Sequence, residues 1–368
     1  MKKYFCYLLA AILMAASLSA CNTALAASKK SDTLQIVTTI FPEYDWVKNI
    51  LGENPANAEL TLLLDNGVDL HSFQPTAADI VKISTCDLFI YVGGESDEWV
   101  EDALKEAKNK DMIVINLLEV LGDQVKEEEI VEGMEHEHDH EDGDHDHEDG
   151  DHEDGDHDHE DGDHDHEDGD HEDGDHDDHD HEHHHDGEVE YDEHVWLSLR
   201  KAQTICNSIE EALSKLDAAN AKTYQANNAA YQKKLSDLDA KYAEAASGAK
   251  VKTLLFGDRF PFRYLLDDYD LKYYAAFAGC SAETEASFET ILFLAGKVDE
   301  LKLPAILTIE GANHKIAQTV QENTKTKDQK ILVMNSLQST TSKDIEKGTT
   351  YLSVMEENLS AFKEALGE

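Results

Sequence analysis

The segment LQIVTTIFPEYDWVKNILGE, residues 34–53, decides the fold class. Its first eight residues are mostly apolar or β-branched and predict a buried strand. The remainder places Tyr44, Val47 and Ile50 at helical spacing, and Gly52 predicts the end of that helix. A strand followed directly by an amphipathic helix is the repeating unit of parallel α/β sheets.

The same alternation continues outward from this segment. Strands are predicted within AELTLLLDNG, DLFIYVGG and DMIVINL, and helices within DEWVEDALKEAKN and TAADIVKISTC, where Thr76 is the expected N-cap. A second unit near the C terminus has strands within VKTLLFG, LKYYAAF, AILTIEG and KILVMNS, and helices within SFETILFLAGKVDEL and YLSVMEENLSAFKEAL.

Two long helical patterns connect these units. LRKAQTICNSIEEALSKL predicts one amphipathic helix, and residues 218–248 predict another that would span roughly 40 Å. Because the second helix is mostly polar, it is better explained as a strut between lobes than as a core element. We therefore predict an α/β protein with two lobes, each a mainly parallel sheet flanked by helices, joined by a long rigid backbone helix.

The N terminus predicts export. Lys2 and Lys3 precede an apolar run through Leu18 that is short for a membrane span and typical of a secretory signal. The run ends in LSAC, which resembles a bacterial lipobox and implies a lipidated Cys21 as the new N terminus. The alternative is cleavage after Ala26, which would leave a soluble product. The predicted organisation is a signal peptide at 1–20, a lipidated tether at 21–31, an N-terminal metal-binding lobe at 32–217, the linking helix at 218–248 and a C-terminal lobe at 249–368.

Within the first lobe, residues 134–187 predict a disordered loop rich in His, Asp and Glu. Residues 136–186 contain 17 of the 20 histidines and 28 of the 79 acidic residues, without a single Lys, Arg, aliphatic or aromatic residue. Such a tract has nothing to bury against the entropy of ordering. Since neutral imidazole binds zinc, copper and nickel, we predict accessory metal capture rather than a passive acidic loop, at His136, His138, His140, His145, His147, His157, His159, His164, His166, His181, His183, His184 and His185.

Charge and cysteine content exclude other classes of protein. The net charge of −48 argues against nucleic-acid binding, which rests on phosphate neutralisation by Lys and Arg. Beyond Cys6 and Cys21, only Cys86, Cys206 and Cys280 remain, without a CxxC motif. We therefore expect cysteine to explain neither the fold nor the metal.

Three histidines outside the tract are candidate ligands. His71 and His314 follow predicted strands, at the edge where open α/β sheets bind ligands, and His194 precedes a helix. The sequence has no GxGxxG, GxxxxGK[ST], HExxH or GxSxG motif, so we expect a binding protein rather than an enzyme.

The chain resembles the metal-binding lipoproteins of bacterial zinc and manganese ABC importers, most closely the zinc-uptake branch. The resemblance is carried by IVTTIFPEYDWVKNILGE, LLLDNGVDLHSFQPTAADI, YVGGESDEWVE and DEHVWLSLRKA, extends over nearly all of the mature chain and includes the His-rich loop. It implies two lobes on a backbone helix, one metal ion in the cleft, and an ABC permease with its ATPase as partners. His71 and His194 match the first two ligands of the family.

The other two ligand positions depart from the family pattern. Where many relatives have a stretch like FHDAYGYF, this chain reads FGDRFPFRYLLDDY, so Gly257 or Arg259 occupies the third position and Asp258 is the nearest carboxylate. The fourth position is assigned to His314, counting from Glu310. The alternative oxygen ligands are Glu283 and Glu285, and a structural role for this acidic stretch is an equal alternative.

Two or three imidazoles with one carboxylate favour Zn²⁺, as a transported ligand, over manganese, which prefers more oxygen ligands. A manganese-specific protein of the same type remains an alternative. A second alternative is a metal-buffering or adhesive surface lipoprotein whose only useful site is the His-rich loop.

Overall fold

The computed structural model describes residues 33–54, 56–134, 190–281, 285–311 and 313–368. The predictions for the signal peptide, for Cys21, for Glu283 and for the histidines of the tract lie outside these residues. The described residues on either side of the tract belong to one compact unit. Among the described helices, none is both long and apolar enough to cross a membrane.

The first sheet has four parallel strands in the order β2-β1-β3-β4. The strands are β1 Gln35–Thr38, β2 Glu59–Leu62, β3 Leu88–Tyr91 and β4 Ile113–Asn116. Its helices are α1 Phe41–Leu51, α2 Ala77–Thr85, α3 Trp99–Lys105 and α4 Leu117–Leu121. Since the chain reverses its direction of travel across the sheet between β1 and β3, the carboxyl ends of these strands open a crevice suited to a ligand.

The second sheet repeats this topology with the parallel order β6-β5-β7-β8. Its strands are β5 Thr253–Phe260, β6 Lys272–Ala278, β7 Ala305–Thr308 and β8 Lys330–Val333. The helices of this part are α7 Arg263–Asp267, α8 Phe288–Leu301, α9 Lys315–Asn323, α10 Ser342–Glu346 and α11 Tyr351–Ala365. Two parallel sheets flanked by helices confirm the predicted fold class.

Two consecutive helices, α5 Leu199–Leu216 and α6 Ala221–Gly248, connect the sheets. The 28-residue α6 packs along α5 and reaches both α1, beside the first sheet, and α11, beside the second. Asn227 Nδ2 donates to the carbonyl oxygen of Ile50 at 2.9 Å, and Tyr242 Oη donates to that of Met355 at 2.7 Å. Its sparse apolar stripe is buried, so one face of this mostly polar helix forms part of the core.

Local signals read from the sequence set the ends of several elements. Thr76 is the N-cap of α2, where its Oγ1 accepts from the Asp79 N–H at 3.3 Å and Asp79 Oδ2 accepts from the Thr76 N–H at 3.0 Å. Gly52 ends α1 with a φ of 62°, and its N–H donates to the Lys48 carbonyl at 3.0 Å. The short helices α4, α7 and α10 were not predicted, because five residues are too few to show a helical period.

The two chain segments that flank the tract lie side by side. Glu127 and Tyr191 form an antiparallel bridge, the Glu128 N–H donates to the Glu190 carbonyl at 2.8 Å, and the Asp192 N–H donates to that of Lys126 at 2.9 Å. The chain shortly before the tract is therefore held against the chain directly after it, which leads into His194.

Candidate metal centre

His71 lies on the short 3₁₀ turn Leu70–Ser72 after β2. Asp69 is the N-cap of this turn and accepts from the His71 N–H at 3.1 Å, while the buried Leu70 anchors it in the core. The ring nitrogen Nδ1 of His71 lies 2.7 Å from Ser96 Oγ, which leaves Nε2 pointing away from the turn.

Ser96 is placed by the chain that follows β3. Its N–H donates to Glu193 Oε1 at 2.9 Å, and Glu193 Oε2 lies 3.6 Å from His71 Nδ1. Gly94 allows this approach, since it has a φ of 82° and a Cβ there would lie 2.3 Å from Glu193 Oε1. Burial raises the pKa of Glu193 above its ordinary range.

His194 is fully buried and is fixed by Asp192. One oxygen, Asp192 Oδ1, accepts from the His194 backbone N–H at 2.9 Å and lies 3.0 Å from the ring nitrogen Nδ1. A carboxylate can only accept, so His194 Nδ1 carries a proton and Nε2 is the ring nitrogen left to bind a metal ion. A carboxylate that orients a histidine in this way is the usual second partner of a metal-binding imidazole.

The two histidines come together although 123 positions separate them in sequence: His71 Nε2 and His194 Nε2 are 3.2 Å apart. Burial lowers the pKa of His71 to about 3, and the neighbouring His194 acts in the same direction, while the Asp69 carboxylate opposes it. His71 is therefore neutral near pH 7 and able to offer a lone pair to a metal ion.

Gln338, in the loop after β8, closes the site from the side of the second sheet. With its amide oriented to donate to the acceptor-only Asp69 carboxylate, Nε2 lies 2.7 Å from both Asp69 oxygens and Oε1 accepts from His194 Nε2 at 2.8 Å. Gln338 thus connects Asp69 to His194. A metal ion bound at His194 Nε2 would replace the proton of this hydrogen bond.

An ion pair crosses the site beside these residues. Arg259, at the end of β5, places its guanidinium Nη2 2.8 Å from Asp69 Oδ2. Burial alone would raise the pKa of Asp69, but the Arg259 charge, with hydrogen bonds from Arg259 and from the His71 backbone N–H, outweighs it and holds that pKa below its ordinary value. Asp69 is therefore ionised, as the Gln338 orientation requires.

Cys280 is the third residue whose ligand atom reaches the histidines. Among the described residues, the set of His, Cys, Asp and Glu side chains that could hold a metal is His71, His194 and Cys280, whose ligand atoms lie within 4.8 Å of one another. Gly279 permits this approach because a Cβ there would lie 2.8 Å from His194 Cε1 and 2.9 Å from the Phe260 carbonyl oxygen.

His314 and Asp258, predicted as further ligands, are brought together around Thr308. Thr308 Oγ1 donates to Asp258 Oδ2 and lies 3.2 Å from His314 Nδ1, and the Ile309 N–H also donates to Asp258 at 3.2 Å. The described set around the histidine pair does not include them. Glu285 is exposed. Ligand roles for these three residues stay predictions.

Cys280 and Gln338 were missed from the sequence. Cys280 was set aside because no second cysteine lies at a metal-binding spacing, and Gln338 carries no charge that would mark it. Their position in the sequence could have identified them, because both residues follow predicted strands of the second sheet, at the edge where ligands bind.

Comparisons of the sequence with known proteins all point to one family. A family model described as "Zinc-uptake complex component A periplasmic" matches residues 36–365. The zinc-binding lipoprotein AdcA of Streptococcus pneumoniae (strain ATCC BAA-255 / R6) is 32% identical over 357 residues, which cover 97% of this chain and 60% of that relative. The high-affinity zinc uptake system protein ZnuA of Bacillus subtilis (strain 168) is 28% identical over 357 residues, which cover 97% of this chain and 95% of that protein.

Solved structures agree with this assignment. The Zn(II)-bound ZnuA-like domain of Streptococcus pneumoniae AdcA is similar with a TM-score of 0.63 and 28% identity, covering 91% of this chain and 100% of that domain. This chain spans about 60% of the length of the AdcA relative named above. Because the family model covers most of the sequence, the chain belongs to the ZnuA family of zinc-uptake complex components.

Proposed function

We propose that this protein is the extracytoplasmic, lipid-anchored component of an ABC importer that captures a zinc ion between its two sheets and delivers it to the permease and its ATPase. The role is binding and delivery, without catalysis. The observation that carries the proposal is the close approach of two imidazole nitrogens, His194 Nε2 and His71 Nε2, which are 3.2 Å apart. Two nitrogen ligands at about 2.0–2.1 Å from a tetrahedral zinc ion would be separated by about 3.3 Å, which matches this spacing.

The surroundings of the histidine pair also suit a divalent cation. Asp69, Asp192 and Glu193 place negative charge around it, and Arg259 offsets one of these charges. Neutral imidazoles favour zinc over manganese, which is better bound by oxygen ligands. The zinc-binding names of the relatives support the same choice of ion.

Calorimetry on two forms of the chain tests this proposal. The full chain and a chain lacking residues 136–186 should each have one tight zinc site, and His194→Ala should abolish that site in both. His314→Ala is measured alongside, because its ring contacts Thr308 and its role as a ligand is still a prediction.

The experiment also separates the second candidate function, a metal-buffering or adhesive surface lipoprotein, which the histidine content of the tract favours. If all tight binding disappears with residues 136–186 and His194→Ala has no effect, this second function replaces the first. If the tight site survives instead, zinc uptake by cells that carry the intact chain or Cys21→Ala shows whether the predicted anchor contributes to import.

A further inference from the structure

The chain that follows β6 brings a thiol to the histidine pair. β6 ends at Ala278, and Gly279 then lies against the His194 ring, at a distance that no side chain could occupy. The next residue is Cys280, whose backbone N–H donates to Glu128 Oε1 at 3.1 Å. The backbone is therefore held at two successive residues, Gly279 against the His194 ring and Cys280 by its hydrogen bond to Glu128.

We propose that Cys280 is a third protein ligand of the transported metal, which makes the centre a His₂Cys site and gives it a preference for metals that accept thiolate. This inference rests on the proposed function, because it assigns a ligand to the same zinc site. It departs from the ligands expected from the sequence, where cysteine was given no role and the second lobe was expected to contribute His314 or Asp258.

The distances fit a tetrahedral ion after a small closure. With zinc–nitrogen bonds of about 2.0–2.1 Å and a zinc–sulfur bond of about 2.3 Å, a ligating nitrogen and sulfur lie about 3.6 Å apart. The three ligand atoms here lie within 4.8 Å of one another, so Sγ must approach by about 1 Å at most. A cysteine side-chain rotation or a slight approach of the two sheets supplies that movement.

Cys280 is available for this role. It is one of three free cysteines in the described part of the chain, and the other two, Cys86 and Cys206, are buried. On binding, the Sγ–H bond breaks, the sulfur electron pair forms the bond to the metal, and the proton leaves to solvent. Burial and the neighbouring carboxylates of Glu128, Glu193 and Asp192 raise the pKa of Cys280 in the metal-free protein, whereas a hydrogen bond from the Glu193 backbone lowers it; the bound cation would supply the stabilisation that the thiolate needs.

A thiolate ligand changes which ion the site prefers. Soft sulfur ligands favour zinc, whereas manganese is better held by carboxylate, carbonyl and water oxygens. Gln338 Oε1, 2.8 Å from His194 Nε2, is a neutral oxygen ligand within reach of the fourth position. Cys280 would also make the metal a bridge between residues of the two sheets, since His71 follows β2 and Cys280 follows β6.

X-ray absorption of the full chain with one equivalent of zinc tests the inference directly. Residues 136–186 contain no Cys or Met, so any sulfur bound to zinc must come from elsewhere in the chain. We expect a zinc–sulfur shell at about 2.3 Å in the wild type and in the control Cys86→Ser, and its loss in Cys280→Ser. Cobalt in place of zinc should show near-ultraviolet thiolate charge transfer in the same two proteins only.

Affinity and selectivity provide the second readout. Loss of a residue that merely orients a metal ligand costs about 10- to 100-fold, so Cys280→Ser should weaken zinc by about 100-fold or more. Manganese affinity should change by less than tenfold, which narrows the preference for zinc. His314→Ala and Asp258→Asn are measured alongside, and a loss confined to either of them would assign the third ligand to that residue instead.

The outcomes separate the two proposals. If His194→Ala abolishes tight binding while wild-type zinc shows no sulfur shell, Cys280 is not a ligand and the proposed function stands. If neither His194→Ala nor Cys280→Ser changes the tight site, the proposed function fails as well. Should Cys280→Ser fold poorly, the wild-type absorption spectrum still decides, because it requires no variant.

Discussion

Asp192 should be the strongest determinant of zinc affinity that does not itself touch the metal. Its Oδ1 accepts both from the backbone N–H and from the ring of His194, at 2.9 and 3.0 Å. Asp192→Ala would remove both contacts, free the buried ring to rotate and allow the wrong tautomer. Asp192→Asn would keep an oxygen acceptor at the same place and lose only the negative charge.

The two variants therefore have different expected sizes. Removal of a carboxylate behind a metal-binding histidine costs about 10- to 100-fold in affinity. We expect Asp192→Asn to lose about 1.4 kcal/mol of zinc-binding free energy, near the lower end of this range, and Asp192→Ala to lose about 2.7 kcal/mol, near the upper end. The Asp192 backbone should remain in place in both, because its N–H donates to Lys126 at 2.9 Å and its carbonyl accepts from Tyr264 Oη at 2.8 Å.

Competition between the protein and a zinc chelator, in a chain lacking residues 136–186, measures these differences without interference from the tract. Asp237→Asn is the matched control, since this exposed carboxylate pairs only with Lys233 among the described residues and changes the net charge equally. Equal affinities for wild type, Asp192→Asn and Asp192→Ala would refute the reasoning. So would a loss in Asp237→Asn as large as in Asp192→Asn, because the effect would then be one of net charge.

Three further predictions follow from the same geometry. Gly279→Ala should destabilise the fold by about 1–3 kcal/mol and weaken zinc binding, because the new Cβ would lie 2.8 Å from His194 Cε1. Gly296→Ala is the control, since a Cβ there meets open space and should have neither effect. Thermal unfolding and zinc titration of both variants test this. Burial raises the pKa of Asp97 to about 7, so the folded state holds this proton to higher pH than the unfolded chain. The contribution of Asp97 to stability should fall by about 4 kcal/mol as the pH rises from about 4 to 7, and Asp97→Asn should remove that contribution from the pH dependence measured by chemical denaturation. On acidification, the tract should release metal as the pH falls toward about 5, because its histidines become protonated. The centre should retain its ion to lower pH, since the pKa of His71 is about 3. The same pH dependence of zinc binding in the full chain and in the chain lacking residues 136–186 would contradict this.

The sequence predicted the layered fold because that information is local. Alternating strands and amphipathic helices need only a short window, and the Thr76 and Gly52 signals act within one helical turn. His71 and His194 were identified because each lies in a motif with a recognisable position relative to a strand or helix. Their contact was implied by resemblance, and the structure shows it at 3.2 Å.

The contribution of the second sheet could not be predicted in the same way. Which residue after β5, β6, β7 or β8 points at the histidines depends on a close backbone approach, such as that of Gly279, and not on any periodic pattern. Arg259 illustrates the difficulty: from the sequence it stands where a ligand was expected, and in the structure its charge pairs with Asp69. Long-range polar contacts of this kind carry no signal in a single sequence.

The bridge between Glu127 and Tyr191, together with the hydrogen bond between Glu128 and Glu190, holds two chain segments side by side, one shortly before the inserted tract and one directly after it. We predict from this pairing that the fold tolerates changes in the length of the tract. For a loop with the disorder that the sequence predicts, each doubling in length costs only about 0.6 kcal/mol of closure entropy. If the tract captures metal as its histidines predict, gain or loss of Glu-Asp-Gly-Asp-His-Asp-His units would change how many ions the protein holds and leave the affinity of the centre unchanged. Capacity and affinity would then be set by separate parts of the chain and could evolve independently.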